Sequence, residues 1–176
     1  KYRHCVDFSK DAIKIAKKKL KKHGKYYCND SNKIRFKKDF FDCIISMHTI
    51  YHIKKSVQKE TIKKLIKIVK KNSKIIIVYS NPNTFINKFK NFINYKKKKQ
   101  KIYFYCHPNS WWYQFRNSVE VEIKPWRSFS SQHQKMLFPN NFFGKKMLDF
   151  LYFLEEKFPN FFSTNFQYTM IILTKK

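Results

Sequence analysis

Apolar and polar residues in the first half of the chain repeat with two different periods. Between predicted strands, residues 9–22 and 57–71 place apolar side chains at helical spacing, with lysines on the opposite face. The order strand, helix, strand, strand, helix, strand predicts an α/β fold with a mainly parallel sheet. The short apolar runs of strand length are residues 2–8, 25–29, 41–47 and 75–79. The run at 41–47 is apolar on both faces, which is typical of a buried parallel strand.

The second half of the chain contains a different mixture of elements. Residues 84–95 and 145–158 have the periodicity of amphipathic helices, and Pro159 lies beyond the expected end of the second. Residues 119–123 alternate strictly, which predicts a strand with one solvent-exposed face, and residues 168–173 predict a last strand. The side chains expected to point inward from the helix at 145–158 are Met147, Leu148, Leu151 and Leu154. We see no internal repeat and no long linker that would separate independent domains.

The formal net charge of +28 over 176 residues invites a nucleic-acid-binding interpretation. Only four of the 39 basic residues are arginine, the residue whose planar group makes bidentate contacts with bases and phosphates. The lysines also spread over the outer faces of both predicted helices in the first half. We therefore interpret the charge as a solvated, lysine-rich surface around a packed core.

Apolar stretches and cysteines in the sequence bear on the cellular location of the protein. No run approaches the roughly 20 apolar residues that span a bilayer, and the first residues do not resemble a signal peptide. The cysteines lack CxxC spacing, which favours free thiols over disulfides or a zinc site, and three lie in apolar runs where we expect burial. We predict a cytoplasmic protein without a metal. The four cysteines are Cys5, Cys28, Cys43 and Cys106.

Three segments of the first half form an ordered set of motifs: CVDFSKDAIKIAKKKL at residues 5–20, FDCIISMHTIYHI at 41–53 and IKKLIKIVKKNSKIIIVYSNP at 62–82. In this order they resemble class I (Rossmann-like) S-adenosylmethionine-dependent methyltransferases. The terminal QYTMIILTKK is similar to the last strand of that family. Lys-Asn-Ser at residues 71–73 replaces the usual Pro-Gly-Gly turn of the family, and Asn and Ser also favour turns.

The resemblance implies a three-layer α/β sandwich whose sheet is mostly parallel, with an antiparallel C-terminal strand. Residues 1–82 would form a cofactor-binding portion, 83–135 a substrate-recognition insertion with the sixth strand, and 136–176 the final helix and strand. The first strand of the family and its Gly-rich loop have no counterpart, since neither Gly24 nor Gly144 can supply that loop. We therefore expect an N-terminally truncated member.

The resemblance also implies S-adenosyl-L-methionine as cofactor and assigns residues to it. Asp7 matches the acid that accepts hydrogen bonds from the ribose hydroxyls, and Asp30 matches the acid that receives the adenine amino group. Ser46 and Met47 follow at the end of the next predicted strand, where ligands collect in open α/β sheets. The alternative for both acids is a purely local role in turns.

The reactive end of the cofactor would lie near His48, which we consider as a base for an incoming hydroxyl or amine. His48 and His52 are four residues apart, but no third ligand accompanies them, so we predict no metal site. A structural role remains the alternative for His48 and is favoured for His52. The substrate-binding candidates are His107, Trp111, Trp112 and Arg127. The alternative for these residues is that they cover the core under a long connection.

The sequence thus predicts a methyltransferase that acts on an oxygen or nitrogen atom, with a small-molecule acceptor as its partner. The alternative is a nucleic-acid methyltransferase, acting on RNA, or a basic nucleic-acid-binding module that only shares the fold. A third possibility is an inactive fragment of a methyltransferase. The identity of the acceptor and the oligomeric state are left open by the sequence.

Overall fold

A parallel β-α-β arrangement forms the first of two units in the computed structural model, which describes residues 2–30, 33–92 and 102–176. The units are residues 1–37 and 38–176. The division falls inside the portion predicted to bind the cofactor.

The first unit contains strand β1 (Arg3–Asp7), helix α1 (Lys10–Leu20) and strand β2 (Gly24–Cys28). Ser9 caps α1, because its side-chain oxygen accepts a hydrogen bond from the backbone N–H of Ala12. β1 and β2 pair in parallel, as predicted, and the register places Asp7 opposite Cys28.

A four-stranded mixed sheet is the centre of the second unit. Its strands are β3 (Phe41–Met47), β4 (Val69–Ser80), β5 (Val119–Arg127) and β6 (Tyr168–Lys175), in the order β3-β4-β6-β5. β3 and β4 are parallel, whereas β6 is antiparallel to both of its neighbours. The predicted α/β class and the antiparallel last strand are confirmed.

Five helices accompany this sheet in the described part of the second unit. They are α2 (Lys55–Ile68), α3 (Phe85–Phe92), α4 (Ser131–Leu137), α5 (Phe142–Lys157) and α6 (Pro159–Asn165). Helices α4 and α6 were not predicted, because two turns are too short to show a helical period. None of the helices that the structure describes is both long and apolar enough to cross a membrane. Residues 93–95, predicted to continue α3, lie outside the described residues.

The boundary between α2 and β4 differs from the prediction. The helix ends at Ile68 rather than at residue 71, and the strand begins at Val69 rather than at residue 75. A bulge makes this possible, since Phe41 pairs with Val69 while Cys43 pairs with Lys74. Asn72 adopts a positive φ of 61° within the bulge, so the predicted turn residues are built into the strand.

Burial was overestimated at several predicted positions. Ile45 is 65% exposed and Cys43 is also exposed, because β3 is an edge strand of the four-stranded sheet. A continuous apolar run therefore did not identify a buried strand here. Cys28 is exposed in β2, and Met147 is exposed on α5, whereas Leu148, Leu151 and Leu154 are half-buried.

The core of the second unit lies where α2 and the segment around residues 106–115 contact the sheet. Complete burial of one large apolar side chain contributes about 1.5–3 kcal/mol, so this cluster stabilises the unit strongly. Its fully buried members include Ile62, Val69, Ile75, Ile77, Tyr79, Trp112, Val119, Ile171 and Leu173.

A buried polar network runs through this core. The hydroxyl of Tyr79 donates to Oε1 of Gln58 over 3.1 Å and accepts the backbone N–H of His107 over 3.0 Å. The Gln58 amide in turn donates to the carbonyls of Ile53 and Tyr105. Gln58 and Tyr79 have no exposed surface, and burial raises the pKa of the Tyr79 hydroxyl. The network therefore joins α2, β4 and the chain around residue 105.

We expect Tyr79→Phe to destabilise the second unit by about 1–3 kcal/mol, because buried groups on Gln58 and His107 lose their partner. Urea unfolding followed by tryptophan fluorescence measures this effect, since all three tryptophans lie in residues 38–176. Tyr113→Phe serves as a control, because Tyr113 is 48% exposed and should tolerate the change. Equal stabilities of the two variants would show that the network is not a stabilising element.

Candidate functional site

Two acidic residues follow adjacent parallel strands in the first unit. Asp7 is the exposed last residue of β1, and half-buried Asp30 lies two residues beyond the end of β2. The strands are linked at this end, because the N–H of Asn29 donates to the Asp7 carbonyl over 3.0 Å. The unit thus presents two carboxylates at the same edge of one sheet.

The local contacts of Asp7 leave room for a ligand. Its Oδ1 accepts the N–H of Ser9 over 2.8 Å, which fixes the carboxylate at the start of α1. An exposed carboxylate held in this way can accept hydrogen bonds from vicinal hydroxyls. The predicted roles of Asp7 at the ribose and of Asp30 at the adenine amino group of S-adenosylmethionine stay predictions.

Neither of the two glycines provides the Gly-rich loop that the resemblance leads us to expect for the methionine half of the cofactor. Gly24 is the first residue of β2, and a Cβ there would approach the ring of Tyr26. Gly144 lies in the first turn of α5, where it allows close approach of the Pro139 carbonyl. Neither glycine forms a loop at the carboxyl end of a strand.

His48 directly follows β3 in the second unit and has an unusual backbone conformation. Its φ is +55°, a left-handed conformation that costs a non-glycine residue about 1–3 kcal/mol. The N–H of His48 donates to the carbonyl of Val78 over 3.1 Å, which holds this conformation against β4. Residues kept in such conformations are concentrated at functional sites.

The imidazole of His48 is half-buried beside aromatic and charged side chains. It meets the ring of Tyr168 edge-on at 4.9 Å between centroids, and Tyr51 lies at 6.1 Å. Its Nδ1 is buried and has no hydrogen-bond partner among the described residues. The guanidinium of Arg127 lies over the ring of Tyr168, 5.1 Å from its centre.

Electrostatics favour the neutral form of His48. Burial lowers its pKa below the ordinary 6.5, and the positive charge of Arg127 and the nearby His52 lower it further. The imidazole is therefore unprotonated at neutral pH, the form that accepts a proton. Tyr168 was not predicted as a neighbour of His48, because it is 120 positions away in the sequence.

The other predicted cofactor residues lie on β3. Ser46 is half-buried opposite Ile77 of β4, and Met47 is 48% exposed opposite Val78. Both precede His48, so these three residues form one continuous stretch in the second unit. Asp7 and Asp30 belong to the first unit, and the assignment of all four residues to a cofactor stays a prediction.

The predicted substrate residues separate into different environments. His107 stacks on Trp111 with 4.1 Å between ring centroids and 5° between the planes. Trp112 is fully buried and contacts Tyr79 edge-on, so its indole packs the core and has no surface to offer a ligand. Arg127 instead belongs with His48 and Tyr168, and its guanidinium donates to the Ser131 hydroxyl over 3.0 Å.

A shallow groove beside the His107–Trp111 pair was not predicted. We call it the lysine-aromatic groove, and its walls are Lys54, Lys55, Lys59, Tyr103, His107 and Trp111, with Ser56 between the lysines. Two hydrogen bonds hold Tyr103 beside the start of α2: its carbonyl accepts from His52 Nδ1, and its hydroxyl accepts from the Lys55 N–H. The groove could not be predicted from the sequence, because no local pattern indicates a contact between positions about 50 residues apart.

The sequence of residues 2–77 matches the model of a family described as methyltransferase domain. No curated protein sequence gives a significant match. Solved structures with the same fold include an S-adenosylmethionine-dependent methyltransferase from Archaeoglobus fulgidus, at 18% identity and a TM-score of 0.57, covering 98% of this chain and 75% of that one. The MccD protein matches at 20% identity with a TM-score of 0.54, covering 99% and 80%.

A third structure is a phosphoethanolamine N-methyltransferase from Haemonchus contortus, solved with S-adenosyl-L-methionine bound. It matches at 16% identity with a TM-score of 0.56, covering 98% of this chain and 43% of that one. Identities of this size establish a shared fold, and the fold agrees with the predicted one.

We expect NMR titration to give His48 a pKa below 6.5, with the signal assigned by loss in His48→Gln. In Arg127→Gln the pKa should rise, because removal of a positive neighbour makes protonation easier. The fraction of neutral base at a given acidic pH then falls. Arg116→Gln is a matched control for the loss of one arginine, and it should leave the His48 titration unchanged. An unchanged His48 pKa in Arg127→Gln would refute the electrostatic contact between Arg127 and His48.

Proposed function

We propose that this chain, whose residues 2–77 match the model of a methyltransferase domain family and which shares its fold with S-adenosylmethionine-dependent methyltransferases, is itself such an enzyme and methylates an oxygen or nitrogen atom of a small molecule. The observation that carries the proposal is the family match, because it spans β1, β2 and β3 and includes Asp7, Asp30 and His48. The family match and the shared fold support the proposed enzyme class and cofactor, and the acceptor is a further step of the proposal.

In this proposal Asp7 and Asp30 hold the nucleoside of S-adenosylmethionine. The carboxylate of Asp7 accepts from the ribose hydroxyls, and that of Asp30 accepts from the adenine amino group. Ser46 and Met47 contribute at the end of β3. The bound cofactor supplies a methyl group that is already activated on a sulfonium, so the protein needs no metal or nucleophilic triad for this chemistry.

His48 is the residue that we propose to handle the proton of the acceptor. Its lowered pKa keeps the imidazole neutral at neutral pH, so it can accept a proton from a hydroxyl or an ammonium group. Tyr168 packs edge-on against the ring and Arg127 lies over Tyr168, and both thereby restrict the orientation of the imidazole.

A small acceptor is favoured because the charge is not focused at this cluster. The lysines of α2 belong to a helix rather than to the end of β3, and the cation that acts on His48 is Arg127. RNA is the alternative acceptor, and the net charge of +28 supports it. All four cysteines are free thiols, so we propose a reducing, cytoplasmic location.

Calorimetric titration with S-adenosylmethionine and S-adenosylhomocysteine tests the proposed function. We expect both to bind, and Asp7→Asn to weaken binding about tenfold or more, because a charge-assisted hydrogen bond is worth about 1.5–3 kcal/mol. Asparagine keeps the oxygen that accepts the Ser9 N–H, so the start of α1 should survive.

Asp11→Asn provides the control for this titration, because it removes an equivalent charge from the first turn of α1 without touching the strand end. It should bind the cofactor as the unaltered chain does. Absence of any binding heat with a folded chain would exclude cofactor binding by this chain, and equal loss in both variants would remove Asp7 from the site.

A further inference from the structure

The lysine-aromatic groove combines three cationic side chains with a rigid aromatic wall. Lys54, Lys55 and Lys59 are exposed at the start of α2, and no carboxylate lies within ion-pair distance of them in the part of the chain that the structure describes. Glu60 is the acid next to Lys59, and it pairs with Lys63 at 2.8 Å instead. The positive end of the 14-residue helix α2 adds to this local charge.

The aromatic wall is held by contacts on several sides. Trp111 stacks on His107, and the backbone N–H of His107 donates to the buried Tyr79 hydroxyl. Tyr103 is 46% exposed, and its hydroxyl accepts the N–H of Lys55. The ammonium group of Lys55 lies 4.7 Å from the centre of the Tyr105 ring, which keeps this charge near the wall.

His107 provides an independent sign of a missing partner. Its side chain is only 8% exposed, yet it lines the groove, and its Nε2 is buried without a hydrogen-bond partner among the described residues. A buried polar atom without a partner costs about 1–3 kcal/mol. A ligand that reaches His107 would supply the missing hydrogen bond.

The groove also lies close in the chain to the proposed base. Residues 48–59 run without interruption from His48 through a short 3₁₀ helix, Ile50–His52, into α2. His52 within this stretch donates from Nδ1 to the Tyr103 carbonyl over 2.9 Å. The stretch that begins at His48 is therefore bonded to a residue that lines the groove.

We propose that the lysine-aromatic groove binds the phosphate group of a phosphate ester that also carries a planar ring. Lys54, Lys55 and Lys59 would neutralise the phosphate, and Tyr103 and Trp111 would contact the ring. That the ester is the methyl acceptor rests on the proposed function. The binding itself does not, since it requires only the residues of the groove. The same chemistry is offered by a free nucleotide and by single-stranded RNA.

Uridine 5′-monophosphate is the probe, because its pyrimidine avoids competition with the adenine of the cofactor. Calorimetric titration at 150 mM NaCl compares it with uridine, which lacks the phosphate. We expect the monophosphate to bind at least tenfold more tightly than uridine. The double variant Lys54→Gln/Lys59→Gln should lose tenfold or more in affinity for the monophosphate and leave the weak binding of uridine unchanged.

The matched control is Lys64→Gln/Lys67→Gln, which removes two charges from exposed positions of the same helix outside the groove and keeps the Lys63–Glu60 ion pair. It should bind uridine monophosphate within twofold of the unaltered chain. All four lysines are exposed, so far-UV circular dichroism should be the same for both variants. Equal losses in the two variants, or equal affinities for the monophosphate and uridine, would overturn the proposal.

Octauridylate distinguishes the two sources of the phosphate. Affinity at least tenfold above that of the monophosphate, lost in Lys54→Gln/Lys59→Gln, supports a single strand in the groove. Affinity equal to that of the monophosphate supports a free phosphate ester. Tight binding that survives in Lys54→Gln/Lys59→Gln, together with a monophosphate affinity that also survives, would overturn the groove as the phosphate site.

Cofactor titration on the same preparations separates this proposal from the proposed function. Binding of S-adenosylmethionine to all variants, with no groove-dependent binding of the monophosphate, refutes the groove and leaves the transferase function standing. Groove-dependent binding of the monophosphate without cofactor binding supports the groove and refutes the transferase function.

Discussion

The hydrogen bonds around Tyr79 are the constraint on which the second unit depends. One hydroxyl, without contact to solvent, satisfies a side chain of α2 and a backbone N–H of the segment that carries His107. A buried network of this kind stabilises a unit only when each member has its partner. The position of residues 105–107 is therefore tied to that of β4, and Trp112 can fill the core beneath them. The same hydrogen bonds hold in place the segment that forms the aromatic wall of the lysine-aromatic groove.

The two candidate regions of the second unit use different physical means. Around His48 the means is desolvation, because burial among aromatic rings and a nearby guanidinium favours an uncharged imidazole. In the groove it is concentration of charge, because lysines without carboxylate partners stand beside an aromatic wall. A reaction that needs both a neutral base and an anionic ligand benefits from their separation, since a phosphate next to His48 would favour its protonated form.

The sequence predicted the elements with clear periodicity, including α1 with its Ser9 cap, β3 and the last strand. It failed where tertiary contacts override a local pattern. Residues 69–74 contain polar residues typical of a turn, yet pairing with β3 draws them into β4 through a bulge. For the site, the motif identified His48 but not Tyr168, because only the sheet order β3-β4-β6 brings these two residues together. The groove joins residues that have no shared motif, so only the fold reveals it.

The backbone at His48 has a consequence for how this position can change. A φ of +55° suits glycine or asparagine better than an imidazole, so replacement by either should relax the chain locally. The substitutions expected to raise the stability of the folded chain at position 48 are therefore those that remove the proposed base. Under the proposed function, stability and activity are therefore opposed at His48. A screen for heat-resistant variants would favour loss of His48, and a screen for turnover would retain it.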